Sequence, residues 1–182
     1  HRGKMFDRPP TVVEAKPDDW QGKLDIGNPA MLAELEDIAQ RLAEPGHPED
    51  QDYPFRMISR RINEVLNSSW HEDPVQSKRV GHHPAFIHPD DLANLGLADG
   101  QVVEIESERA MISCVAKAAS EVRPGCVAIP HSWGTSPNQK EDPLGEGGNS
   151  GRLSFSVRDF DQRTGIPRMS SIPIRVRAAA AG

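Results

Sequence analysis

With 182 residues the chain has room for one domain, or one domain with an extension, and can bury most of its apolar side chains around a single core. Hydrophobic residues make up 36% and the mean hydropathy is -0.58, so part of the chain is expected to be a polar arm or linker. A formal net charge of -6 argues against a general nucleic-acid binder, and no apolar run approaches membrane-spanning length. No signal-peptide pattern is present, which points to a cytoplasmic protein. The opening His1-Arg2-Gly3-Lys4 carries no initiator Met and reads as the middle of a longer chain.

Residues 1–27 are rich in Pro and acidic groups without periodicity and read as an extended arm. Asn28 can cap a helix and Pro29 suits its first turn. Met31, Leu32, Leu35, Ile38, Ala39 and Leu42 then form one apolar stripe, which predicts a helix over about 29–43, stopped by Pro45-Gly46. Residues 43–52 read as a polar linker. The stripe must be buried against the following domain or a preceding one, so 1–52 is expected to be a tether and 53–182 the folded domain.

From Tyr53 the pattern changes to short strands. Phe55–Ser59 is the first, and residues 60–84 form a long polar loop. Phe86-Ile87 is a short strand. His88-Pro89-Asp90-Asp91 opens a short helix that Gly96 stops. Asp99-Gly100 makes a turn, Val102–Ile105 a strand, Glu108-Arg109 a hairpin tip, and Met111–Ala118 the returning strand. Arg123-Pro124-Gly125 turns into the strand Cys126–Ile129. Residues 130–151 form a second long, Gly-rich loop. Ile172–Val176 is the last strand, with Pro173 hinting at a sheet edge. Many short strands and few helices indicate a small β-barrel. Cys114 and Cys126 belong to no CxxC pair and read as two buried thiols, with no disulfide required.

The chemistry is expected in the two long loops, because loops of that length in a compact domain are functional or disordered. They mix Gly, Ser, Asn, Arg, His and Trp. Arg forks and backbone amides suit phosphate, Asn suits a heterocycle edge, and Trp offers a stacking face. No nucleophile–base–orienter set, Walker loop or Rossmann fingerprint occurs, so the loops read as ligand grip rather than reaction chemistry. His82, His83, His88 and His131 invite a metal reading. However, Pro84 and Pro89 constrain the segment and no spacing completes a zinc pattern. Arg60 and Arg61 should alternate sides, one gripping ligand and the other pairing with an acid such as Glu64. His131 and Trp133 each allow two readings: ligand-facing, or a bonded loop residue and a plug of the barrel end. Over 151–182, six Arg (152, 158, 163, 168, 175 and 177) face only Asp159 and Asp161, a local charge of +4. This suits an anionic ligand or an acidic partner, or simply outward-facing strand charge.

Three stretches, in order, resemble the C-terminal molybdopterin dinucleotide-binding domain of the dimethyl-sulfoxide-reductase superfamily of molybdenum and tungsten oxidoreductases. The first is Phe55-Arg56-Met57-Ile58-Ser59-Arg60-Arg61 with Asn67-Ser68-Ser69. The most specific is Phe86-Ile87-His88-Pro89-Asp90-Asp91-Leu92-Ala93 through Gly96-Leu97-Ala98-Asp99-Gly100 to Val102-Val103-Glu104-Ile105. The third is Arg123-Pro124-Gly125 with Val127–Gly134 and Gly147-Gly148-Asn149. The resemblance covers about 53–178. It implies a mainly β fold, a six-stranded double-psi β-barrel (aspartate-decarboxylase-like) with a few short helices. It also implies that the domain binds molybdopterin guanine dinucleotide, with Mo or W in the full-length enzyme. By position, Ser59, Arg60, Arg61, Asn67, Ser68 and Ser69 would line one loop, and His131, Trp133 and Gly134 the other. Asn149 would bond a pterin edge, and Arg168 would reach a phosphate or pterin. The implied partners are the remaining domains of the parent enzyme and an iron–sulfur electron-transfer partner. The chain itself holds no metal ligand of that family and no catalytic residue, so it is expected to be non-catalytic alone. Two departures stand out: Arg109-Ala110 where the family often has Gly, and Arg60-Arg61 in place of Gly-Arg. The competing reading is a stand-alone double-psi barrel that binds protein partners. A self-processing barrel decarboxylase would need a Gly-Ser cleavage point, and the sequence has none.

Overall fold

The computed structural model describes residues 17–22, 26–43, 49–67, 69, 73–134, 142, 144–161 and 164–180. Most of the predicted arm, 1–16 and 23–25, lies outside them. The chain divides into two compact units, His1–Pro45 and Gly46–Gly182.

The first unit contains α1, Pro29–Ala43. The Asn28 side-chain oxygen accepts the N–H groups of Ala30 (3.0 Å) and Met31 (3.4 Å), so the expected cap is made.

The second unit is a closed barrel of six strands: β1 (Phe55–Arg60), β2 (Pro84–Ile87), β3 (Val102–Glu106), β4 (Met111–Ala118), β5 (Cys126–Pro130) and β6 (Ile172–Ala178). Around the barrel they run β1-β5-β2-β4-β3-β6. β1/β5 and β2/β4 pair in parallel and the other neighbours antiparallel, as a double-psi barrel requires. Alternation builds the core, because successive strand side chains point to opposite faces. Phe55 and Met57, Ala85 and Ile87, Val103 and Ile105, Ile112 and Cys114, Val127 and Ile129, and Ile172 and Ile174 all turn inward. Each fully buried Ile contributes on the order of 2 kcal/mol of transfer free energy. A smaller cluster of Phe86, Ala119, Val122 and Ala128 covers part of the outer wall.

Strand direction sorts the connections into two ends. The stretches 61–83, 107–110 and 131–171 all leave one end, the loop end. The stretches 88–101 and 119–125 occupy the other, the turn end. At the turn end, α4 (Pro89–Leu95) is capped by His88, whose Nδ1 accepts the Asp90 N–H at 3.2 Å. Gly96 ends it in the left-handed region at φ 66, as the sequence predicts. Two carboxylates then pin the turns: Asp99 accepts the Ala118 N–H (2.7 Å) and Asp91 the Gly125 N–H (2.8 Å).

Three expectations need correction, and one departure from the family pattern is explained. Short helices occupy stretches read as linker or loop: α2 (Glu49–Asp52), α3 (Gln76–Arg79) and a 3-10 turn at Ser150–Leu153. They are too short to show a hydrophobic period. β6 is not an edge strand, since it pairs with both β1 and β3. Pro173 is tolerated because the β3 pairing begins only at Arg175, leaving one paired neighbour at that point. Cys114 is buried and Cys126 only half-buried, and neither is in a disulfide. The hairpin tip closes without a left-handed residue: the Ser107 hydroxyl accepts the N–H groups of Arg109 (3.2 Å) and Ala110 (3.3 Å), and so takes over the role of Gly.

Candidate functional site

Both predicted ligand loops belong to the loop end. β1 delivers Arg60 and Arg61 there, and they do diverge. Arg60 lies along the outer wall, 3.9 Å above the Phe86 ring, with both terminal nitrogens 3.3 Å from Glu121 Oε1. Its acid is therefore Glu121, not Glu64. The Glu121 carboxyl sits below its ordinary pKa, first through a backbone hydrogen bond and then through Arg60. Arg61 turns the other way, and its Nη1 donates to Asn67 Oδ1 at 3.2 Å.

Asn67 is held in the left-handed region at φ 53, a conformation Asn tolerates better than most residues. It sits in a tight turn closed by the Ser69 N–H on the Leu66 carbonyl at 2.9 Å. Its Oδ1 also meets His131 Nε2 at 3.3 Å, across 64 residues of sequence. Arg61, Asn67 and His131 thus form one network joining the exits of β1 and β5. Both contacts use the amide oxygen, so a further bond from this side chain would come from its amide nitrogen as donor. Ser59 lies beside this network, its N–H donating to Ser170 Oγ at 3.2 Å. Ser68 lies outside the described residues.

The second connection folds back on itself. The Gly134 N–H donates to the Glu146 carbonyl at 2.8 Å. Gly134 has φ 89, and a Cβ there would lie 2.3 Å from the Asn149 nitrogen, so the backbones meet where no side chain fits. The Asn149 side chain accepts the Gly151 N–H at 2.9 Å and caps the 3-10 turn. Trp133 is only 4% exposed and stacks on His83 (5.0 Å between centroids, 10° between planes), so it packs the barrel end. Arg168 lines a pocket with Tyr53, Phe155, Arg158 and Ile172 whose lining includes none of Arg61, Asn67 or His131.

The basic C-terminal stretch is largely paired on the barrel wall. Arg158 bridges to Glu108, Arg175 to Glu106 at 2.7 Å, and Arg177 to Glu104 at 2.7 Å. The Glu106 carboxyl is held below its ordinary pKa mainly by the Arg175 hydrogen bond, and Glu108 likewise by Arg158. For Arg175 and Arg177 the structure favours outward-facing strand charge, while Arg158 pairs with the hairpin tip from the connection before β6.

The sequence placed His83 in the first long loop but gave it no role in the grip. It is fully buried and bonds to backbone at both Pro130 and Gly148. Its only signal was a His beside Pro84 at the mouth of a strand. Among the described residues no group of three His, Cys, Asp or Glu could hold a metal ion. What the loop end offers is a guanidinium, an amide, an imidazole, hydroxyls and closely approaching backbone. That donor set fits a polar heterocycle bearing phosphates.

The chain is thus a closed six-stranded β-barrel domain with its long connections gathered at one end. Residues 55–173 match the molydopterin dinucleotide binding domain family, and the chain belongs to it. It is 35% identical over 92 residues to dimethyl sulfoxide/trimethylamine N-oxide reductase from Rhodobacter capsulatus, covering 50% of this chain and 10% of that protein. It is 31% identical over 83 residues to biotin sulfoxide reductase from Cereibacter sphaeroides, covering 46% of this chain and 11% of that protein. The fold is also that of part of acetylene hydratase from Pelobacter acetylenicus, with a TM-score of 0.63 at 20% identity over 72% of this chain and 19% of that one. The chain thus matches about a tenth of the length of these sulfoxide-reducing relatives. The family sets the ligand class: a molybdopterin dinucleotide. No helix among the described residues is long and apolar enough to cross a membrane.

Proposed function

We propose that this chain holds the organic part of a molybdopterin guanine dinucleotide at the loop end of its barrel, as one domain of a larger cytoplasmic molybdenum enzyme. The observation that carries this reading is the network of Arg61, Asn67 and His131, which joins the two long connections at one mouth. Arg61 supplies a fork for phosphate or a pterin edge, Asn67 its amide nitrogen, and His131 a ring nitrogen. Ser59, Ser68 and Ser69 add hydroxyls from the first connection, and Gly134 and Asn149 add backbone from the second. Trp133 shapes the second connection from inside. Arg60 and Arg168 act from the rim, Arg60 by exchanging Glu121 for a ligand oxygen.

The cofactor, when bound, supplies a molybdenum centre able to transfer an oxygen atom or hydrogen. This chain's residues bind and orient the organic part and provide neither a metal ligand nor a catalytic group. Because the sequence relatives are sulfoxide and N-oxide reductases, we read the parent enzyme as an oxygen-atom transferase. Its remaining domains complete the cofactor shell, and electrons arrive through an iron–sulfur partner. The tether reading of residues 1–52 belongs to the same proposal.

The decisive experiment is Arg61→Ala in the parent enzyme. Molybdenum and guanine content per protein should fall at least severalfold, since a charge-assisted hydrogen bond is worth about 1.5–3 kcal/mol. Unchanged content would overturn the assignment of this end as the grip. The natural coding sequence should continue upstream for several hundred residues and include a Cys cluster; a start codon near His1 would favour the protein-interaction module instead. The purified 182-residue chain should show no turnover of a sulfoxide with a reduced electron donor and only weak binding of guanine nucleotides. Submicromolar binding by calorimetry would contradict the shared-shell reading.

A further inference from the structure

We infer that His83 is the positioning residue of the cofactor site: a neutral imidazole that clasps both long connections and sets the backbone to which the ligand binds. The inference rests on the reading of the loop end as the cofactor grip. His83 closes the first connection, immediately before β2, and its ring is fully buried. Its Nε2 lies 3.0 Å from the Pro130 carbonyl, at the exit of β5. Its Nδ1 lies 3.2 Å from the Gly148 backbone nitrogen. A carbonyl can only accept and an amide N–H can only donate, so the partners fix the tautomer: Nε2 carries the proton and Nδ1 the lone pair. The Cys114 Sγ, 3.4 Å from Nδ1, faces the same lone pair.

The clasp is tightly built around the ring. Trp133 covers one face in a parallel stack. Gly147 is in the left-handed region at φ 68, and a Cβ there would come within 2.5 Å of the His83 Cβ and 2.7 Å of Trp133 Cδ1. Gly134 and Asn149 meet just beyond, through backbone. Both of His83's backbone bonds therefore go to segments that carry proposed ligand contacts, 130–134 and 147–149. An apolar side chain in its place would leave the Pro130 carbonyl and the Gly148 N–H without this partner, so the ring serves both segments through its two polar arms.

Two substitutions separate the two arms. His83→Gln places a donor toward Pro130 but offers no acceptor to Gly148. His83→Asn places an acceptor near Gly148 but loses the donor toward Pro130. In the full chain, amide hydrogen exchange at Gly148 should speed up about tenfold or more in His83→Gln and stay near wild type in His83→Asn, because an orphaned buried donor costs about 1–3 kcal/mol. In the wild-type chain, nitrogen-15 spectra of the His83 ring should show a protonated Nε2 and a bare Nδ1. This arm stands even where a variant fails to fold, and the opposite tautomer would overturn the clasp. In the parent enzyme, molybdenum and guanine content should fall severalfold in His83→Gln. If Arg61→Ala empties the enzyme and His83→Gln does not, the positioning role fails and the cofactor grip survives. If neither lowers the content, the grip reading fails and takes this inference with it.

Discussion

The two ends of the barrel join the same six strands by opposite means. At the turn end the side-chain bonds are caps or run through one carboxylate: His88 caps α4, Gly96 stops it, and Asp91 and Asp99 pin neighbouring turns. At the loop end the bonds span long stretches of chain: Asn67 with His131, His83 with Pro130 and Gly148, and Arg109 with the Ser154 carbonyl. Within the turn end, α4 and its caps can form locally. The loop end is complete only once the barrel has closed, because its partners lie far apart in sequence. The barrel walls carry polar connections, and the proposed ligand-holding groups sit on the connections.

The largest expected effect tests whether the ends share one core. Ile105 is fully buried and belongs to the cluster beneath both. Ile105→Ala should cost about 3–4 kcal/mol in urea unfolding and lower hydrogen-exchange protection at both ends together. Loss confined to one end would break the view of a single cooperative barrel. Gly134→Ala comes next. It places a methyl against the Asn149 backbone in a left-handed position, and should cost about 2–3 kcal/mol. Its exchange effects should concentrate at 131–134 and 145–151 and leave α4 protected. Gly96→Ala is the matching probe of the turn end. That residue is equally left-handed but has no heavy atom within 4 Å of the added methyl, so only the backbone term remains, about 1 kcal/mol. A Gly96 effect as large as the Gly134 one would remove the claimed difference in crowding.

The same contrast explains what was legible in the sequence. The turn end and the walls were readable because their signals are local: Asp-Gly at 99–100, His-Pro-Asp at 88–90, and period-two alternation along β3 and β6. Asn28 and Pro29 marked the start of α1 for the same reason. At the loop end the sequence indicated which residue types gather, and the two connections do leave together. It could not assign their partners. Glu121 as the acid for Arg60 lies 61 residues away, and Glu64, nearer in sequence, was the natural guess. His83 looked like one of a run of histidines, because its two backbone partners come from 47 and 65 residues downstream. The helices at 49–52 and 76–79 carry too few residues to display a pattern.

The smallest effect concerns acid. Glu106 and Glu108 stand where β3 leaves the loop end, paired with Arg175 and Arg158. Both carboxyls are held below the ordinary glutamate value of 4.5, chiefly by those arginine hydrogen bonds and against a smaller desolvation effect. A depressed folded-state pKa means that the unfolded chain binds protons first as pH falls. The stabilisation is therefore complete above 4.5 and drains away as pH drops through the lower folded values. The pairs are open to solvent, so the loss is modest and weakens further with salt. Thermal unfolding of the wild-type chain should show a small fall in Tm across that range. A Glu106→Gln, Glu108→Gln double variant should start lower at neutral pH and respond more weakly to acid. The hairpin tip and residues 155–160 lean on these pairs, while α4 leans on His88 and Gly96. Acid should thus loosen the loop-end hairpin before the turn-end helix, and equal loosening of both would place the acid-sensitive contacts elsewhere.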